Sequence, residues 1–187
     1  MKNVWKLSLV LFLICAIVAA VLGVVNELTY RRIDELQAQK TAAAYGAVLA
    51  SSEGYETLCD QAFTVSANGQ KVKILCISRA NNGKGYVVET EVSGAQGNIT
   101  MVVGVNLLFQ CTGISITRHA ETSGLGANAA STAEVGVNFC AQFKGQDESI
   151  ALTREGGAID ALSGATITSR SVTNATLAAI LAVRDLA

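Results

Sequence analysis

The sequence predicts an α+β chain: one N-terminal transmembrane helix, then a domain whose mostly antiparallel sheet is flanked by helices. Three observations predict it. Leu7–Val25 is a nearly unbroken apolar run, relieved only by Ser8, Cys15 and Gly23. At about 1.5 Å per residue, a helix of that length covers roughly the hydrocarbon thickness of a bilayer. Between residues 71 and 117, short segments alternate polar and apolar residues, which is the period of half-buried strands. Helical spacing returns from residue 131 onward, and hairpin-type connections between the strands favour an antiparallel sheet.

The elements follow in order. Residues 1–6 are a short N-terminal segment, 7–25 the transmembrane helix, 26–50 a helical stalk or first domain helix, and 51–187 the folded domain. A cleaved signal peptide is the competing reading of the apolar run, with Ala16, Ala19 and Ala20 as small residues. Those residues lie inside the run rather than after it, and the run exceeds a usual signal core, so an uncleaved anchor is expected. Lys2 and Lys6 precede it, and Arg31 and Arg32 follow it. Charge therefore gives no firm orientation.

Glu53–Asp60 reads as a loop. Lys71–Ile74, Tyr86–Val92 and Ile114–Thr117 alternate as strands, and Met101–Val105 is a continuous apolar strand covered on both faces. Asn81-Asn82-Gly83-Lys84-Gly85 has hairpin-turn chemistry. Ser131-Thr132-Ala133-Glu134 is a capping-box pattern, with Val135, Phe139 and Phe143 at helical spacing and Gly145 as the stop. The last helix is expected from about Thr168 to Asp185, with Val172, Ala175, Ala179 and Val183 on one face. Proline is absent, so turns rest on 17 glycines with Asn, Asp and Ser.

Several functions are excluded by what the chain lacks. Net charge is −1 and no basic stripe occurs, so nucleic acid is not an expected partner. One histidine forbids a multi-His metal site. There is no nucleophile elbow, P-loop or full dinucleotide fingerprint, so no complete active site is expected and no metal is assigned. The five cysteines form no Cys-x-x-Cys pair. Disulfides and free thiols both remain open, with buried free thiols at Cys76 and Cys140 the plainer reading.

Two stretches carry chemistry. The first is Asp160-Ala161-Leu162-Ser163-Gly164-Ala165-Thr166, which runs straight into the last helix. It sets a threonine hydroxyl beside a helix N-terminus, where unpaired N–H groups and the positive dipole end favour a phosphate. Taken alone, such a loop is a plain helix cap. The second is His119-Ala120-Glu121-Thr122-Ser123-Gly124-Leu125-Gly126, which holds the chain's one histidine. Alone, it is a turn.

Together the two stretches resemble the Asp-x-x-Ser/Thr-Gly-Ala-Thr and His-x-Glu-Thr-x-Gly-Leu-Gly elements of the FMN-binding domain family. Gly85-Tyr86 is a third, weaker echo. Ser123 stands where many relatives have Pro. The whole chain is similar to the G subunits of Rnf-type ion-translocating ferredoxin:NAD⁺ oxidoreductases, whose domain is shared with the C subunit of the sodium-pumping NADH:quinone oxidoreductase.

The resemblance implies FMN joined by a phosphoester to Thr166, installed by a flavin transferase. Asp160, Ser163, Gly164 and Ala165 would form the recognition and phosphate turn, and Thr168 and Ser169 would donate to the phosphate or cap the helix. Glu121, Thr122, Gly124, Leu125 and Gly126 would line the flavin pocket, with His119 lining it or ordering the loop. Gly124 and Gly126 would permit close approach to the ring by adopting positive φ angles. The implied role is an electron carrier, partnered by the other subunits of a bacterial cytoplasmic-membrane complex. Residues 1–6 would be cytoplasmic and the flavin domain extracytoplasmic. The alternatives are the same domain in another extracytoplasmic reductase, or a flavin-free anchored structural subunit.

Overall fold

The computed structural model describes residues 2–51 and 53–186. Met1, Ser52 and Ala187, parts of the expected 1–6 and 51–187 segments, lie outside the described residues, as do the side chains of the flanking charges Lys2 and Arg31. The chain forms two compact units, Met1–Lys40 and Thr41–Ala187.

The first unit lies within helix α1, Lys2–Val48, whose 47 residues continue without a break at Asn26. It is long and apolar enough to cross a membrane, with a mean hydropathy of 3.0 in its most apolar stretch. Leu9, Phe12, Ile14, Val18 and Leu22 are all exposed. A helix apolar on every side has no face suited to water.

The second unit is built on six strands: β1 Tyr55–Cys59, β2 Phe63–Ala67, β3 Gln70–Ala80, β4 Gly85–Ser93, β5 Asn98–Asn106 and β6 Cys111–Arg118. All pairings are antiparallel. The order is β1-β3-β4-β5-β6, with β2 also on β3. The long β3 serves both short partners: β2 pairs with residues 70–74 and β1 with residues 77–80. Helix α2 spans Glu134–Ala141 and helix α3 spans Thr166–Leu186.

Period-two patterning decides what covers each face. On β5, Met101, Val103 and Val105 point into the larger core, and Val102 into a second cluster with Ala44, Val48 and Val87. Met101, Val102, Val103 and Val105 are all buried, as the continuous apolar run predicts. Helix α3 covers the larger core through Val172, Ala175, Ala179 and Val183, the face expected from spacing. The last turns of α1, within the second unit, cover the other face. There Thr112 Oγ1 donates to Val48 O at 2.6 Å, and Tyr45 OH to Glu89 Oε1 at 2.9 Å.

The structure corrects several expectations. Glu53–Asp60 contains β1, an edge strand whose middle residues are exposed, so it carries little alternation. β2 is a further addition, although Asn68-Gly69 turns it into β3 with φ of 49° and 78°. That pair is a strong two-residue hairpin signal. Ser131 does not cap α2: the N-cap is Ala133, with no side-chain bond. Ser131 Oγ instead accepts the Ala133 N–H at 3.1 Å. Phe143 lies beyond α2, in turns that end at Gly145 with φ 83°. Helix α3 begins at Thr166, so that residue is the first of the helix rather than ahead of it.

All five cysteines are free thiols. Cys76 and Cys140 are half-buried rather than buried, and Cys111 is the buried one. Burial pushes the Cys111 thiol from 9.0 up to about 12. The folded state thus holds this proton more tightly than the unfolded chain. Its contribution is complete below about pH 9 and is lost as pH rises toward 12, at about 1.4 kcal/mol per pH unit. Burial raises Tyr45 as well, with Glu89 adding to it, and that group acts above pH 10. Between pH 9 and 10, Cys111→Ala should therefore flatten the decline in unfolding free energy measured with denaturant. An equal decline in both proteins would contradict the assignment.

Candidate functional site

The loop after β6 and the turn before α3 meet across one cavity of about 330 Å³. Glu121, Thr122, Leu125 and Gly126 line one side, and Gly164 to Thr168 the other. Gly164 has φ 71°, and a Cβ there would stand 2.9 Å from Leu125 Cδ2. The positive φ is what favours glycine there, since the Leu125 methyl ends an exposed side chain that can shift aside.

The 160–166 turn is held from within. Ala165 N–H donates to Leu162 O at 3.0 Å. Ser169 is fully buried: its Oγ accepts the Leu162 N–H and donates to Ala165 O, both at 2.9 Å. Its hydroxyl proton is thus committed to the turn, and Ser169 lines neither cavity of the site. Thr166 is half-buried at the start of α3. In this first turn the amides of Thr166, Ile167 and Thr168 have no acceptor within the helix and favour an anion.

Glu121 joins three segments. Its Oε1 accepts the N–H groups of Ala95 and Gln96, at 2.9 and 3.1 Å, from the loop between β4 and β5. Its Oε2 accepts the Thr168 hydroxyl in a short bond. Both side chains are buried. Thr168 therefore directs its proton to Glu121, while its residue still lines the cavity. A Cβ on Gly126 would stand 2.6 Å from Thr168 Oγ1 and closer still to the Glu121 carboxylate. The expected positive φ is found at Gly124, at 79°, and not at Gly126. Gly126 is small because the carboxylate fills the space beside it.

His119 is exposed and lies outside the cavity lining. Its Nδ1 accepts the Glu121 N–H at 3.3 Å, so it orders the loop. Thr122 O accepts the N–H groups of Leu125 and Ala127, each at 3.2 Å. A second cavity, of about 460 Å³, lies on the other side of the turn, with Thr153, Arg154, Asp160 and Ser163 in its wall. Asp160 accepts the Thr153 hydroxyl at 2.6 Å, and its N–H donates to Gln142 Oε1 at 2.7 Å. Gly164 and Thr166 line both cavities.

Sequence reasoning missed Ala95, Gln96, Ile167 and Arg154. Ile167, 58% exposed, and Leu125, 44% exposed, are apolar residues left open at the first cavity. The flanking Gly94 and Gly97 were the available signal for the first two, and a Cβ on Gly94 would meet Glu121. Nothing local marks Ile167 or Arg154.

Residues 94–181 match the sequence profile of an FMN-binding domain, and residues 1–48 that of the RnfG N-terminal region. The G subunit of the ion-translocating oxidoreductase complex of Methanosarcina acetivorans is 31% identical over 96% of this chain and 94% of its own. The G subunit of the Na⁺-translocating ferredoxin:NAD⁺ oxidoreductase complex of Acetobacterium woodii is 31% identical over 92% of this chain and 88% of its own. Among solved structures, the C subunit of the Na⁺-translocating NADH-quinone reductase of Parabacteroides distasonis aligns with a TM-score of 0.45 and 20% identity, over 64% of this chain and 74% of that one. With 31% identity over nearly the full length of such a relative and both profiles matched in order, the chain belongs to the G-subunit family of ion-translocating oxidoreductase complexes and carries its FMN-binding domain.

Proposed function

We propose that this chain is the electron-carrying subunit of a membrane-bound, ion-pumping ferredoxin:NAD⁺ oxidoreductase, and that it holds FMN by a phosphoester to Thr166. One observation carries the reading: the two motifs, some forty residues apart, converge on a cavity whose wall includes Thr166 at a helix N-terminus. The relatives named as G subunits of such complexes support the complex and the role.

The residues fit the cofactor. The first-turn amides of α3 suit a phosphate, and Gly164 and Ala165 leave the backbone open to it. Both cavities lie within the roughly 300–1,000 Å³ of small-molecule sites. Leu125 and Ile167 offer apolar surface for a flat ring. When bound, FMN supplies the electron-transfer chemistry, and the protein supplies binding, orientation and electrostatic tuning. Thr166 would provide the ester oxygen during maturation by a flavin transferase: as its Oγ1 bonds the flavin's phosphorus, the bond from that phosphorus to the donor's leaving group breaks, and the leaving group takes up the hydroxyl proton. Glu121 keeps the 94–97 loop against the helix start, which fixes the width of the cavity. With the attachment at the phosphate end, groups beside the ring set its potential.

The same reading makes α1 an uncleaved single-pass anchor and puts the flavin domain outside the cytoplasm. The full chain, made together with a flavin transferase, should give a band that fluoresces under ultraviolet light on a denaturing gel. A dark band would remove the covalent flavin. Protease added to intact spheroplasts should digest the domain, and digestion only after lysis would reverse the orientation.

A further inference from the structure

The β5–β6 hairpin ends in a turn whose chemistry is reversed. Tight turns usually carry Gly, Asn, Asp or Ser, whereas this one reads Leu107-Leu108-Phe109 between Asn106 and Gln110. Phe109 has φ 58°. A bulky residue in the left-handed region is an outlier that its surroundings must impose.

Asn106 imposes it. Its Oδ1 accepts the N–H groups of Leu108 and Gln110, each at 2.9 Å. Its own N–H donates to Gln110 O at 2.9 Å, and Phe109 N–H donates to Asn106 O at 3.1 Å. In the resulting turn the Phe109 ring packs on the core, while Leu107 and Leu108 are 56% and 75% exposed. Two adjacent leucines are thus displayed on a rigid tip. Adjacent exposed apolar groups that break a local rule are a mark of contact surfaces.

Beside the tip lies a groove of about 270 Å³, walled by Leu108, Phe109 and Ile180, with Asp147, Glu148 and Arg184 at its rim. Arg184 is shared between Glu148 and Asp185. The Asp147 carboxylate accepts the N–H of Ser149 at 2.9 Å and its hydroxyl at 2.6 Å, and it forms no ion pair with a cation among the described residues. The rim is therefore acidic on balance. An anionic lipid surface would be repelled by it, and so would a second copy of the same rim. A protein surface with an apolar socket and a Lys or Arg at its edge is complementary in both shape and charge.

We infer that the Leu107–Leu108 tip and its groove dock another protein subunit, through an apolar socket edged by Lys or Arg. This rests on the reading that the chain works inside a multi-subunit complex. The Asn106 clamp keeps the tip ordered before contact, which lowers the entropy lost on docking.

The test replaces Leu108 by the photoreactive amino acid benzoylphenylalanine in the full chain, within the purified complex. Irradiation should join it to one peptide of another subunit that contains apolar residues and a Lys or Arg. Adducts on lipid alone, on a second copy of this chain, or on nothing would overturn the inference. The double variant Leu107→Ser/Leu108→Ser changes only exposed side chains. It should reduce the amount of this chain recovered with an affinity-tagged partner subunit at least tenfold, at unchanged flavin fluorescence per chain. Unchanged recovery would also overturn it. Absence of flavin from the unaltered chain would sink the cofactor reading while leaving the crosslink result intact.

Discussion

Thr166→Val is expected to remove the flavin fluorescence of the denatured chain down to background. Valine keeps the β-branched shape at the first position of α3. It removes the hydroxyl oxygen proposed as the ester oxygen. Thr166 is half-buried at the cavity wall, so the fold should persist with an unchanged far-ultraviolet circular dichroism spectrum. Electron transfer through the assembled complex should fall with the flavin. Thr166→Ser restores the hydroxyl and should recover part of both signals. Fluorescence retained by the valine variant would place the attachment elsewhere.

Gly126→Ala should be far more damaging than Gly124→Ala, although the second glycine is the one with positive φ. At Gly124 a methyl group meets nothing within 4 Å, and the cost is the backbone strain alone, about 1–2 kcal/mol. At Gly126 the methyl group competes with the Glu121 carboxylate and Thr168 Oγ1 for one space. Either the bond between them breaks or the 119–126 loop moves. Overpacking costs about 1–3 kcal/mol, and losing a hydrogen bond to a charged group adds about 1.5–3 kcal/mol. Denaturant unfolding of the full chain in detergent measures both variants. Because Glu121 also holds Ala95 and Gln96 at the cavity wall, Gly126→Ala should shift the flavin potential in a redox titration, and Gly124→Ala should leave it near its original value. Equal effects at the two positions would remove Glu121 as the joint of the site.

The elements that could be read from sequence share one property: they are buried by a regular period. Met101–Val105 sits between two layers, and α3 presents Val172, Ala175, Ala179 and Val183 to one of them, so hydrophobicity records the geometry directly. β1 and β2 lie on the far edge of β3, where exposed positions dilute the alternation. The Ser131 pattern met the local rule for a cap yet was overridden, because Ser131 bonds the Ala133 amide and the helix starts three residues later.

The site divides in the same way. Asp160–Thr166 and His119–Gly126 are contiguous stretches, so each announces itself. The bonds from Glu121 to the amides of Ala95 and Gln96 span 26 and 25 residues and use backbone N–H groups, which any residue type except proline supplies. No pattern of side chains encodes them. The same holds for Gly126, whose small size answers to Glu121 rather than to a turn.

The most direct measurement is the mass of the tryptic peptide Glu155–Arg170 from the full chain made with a flavin transferase. That peptide contains four hydroxyl side chains: Ser163, Thr166, Thr168 and Ser169. A phosphoester at Thr166 requires a gain equal to flavin mononucleotide less one water, with fragment ions assigning it to Thr166. Ser169 is committed to the turn and Thr168 to Glu121, so neither should carry it. An unmodified peptide, or a flavin on any of the other three hydroxyls, would contradict the account.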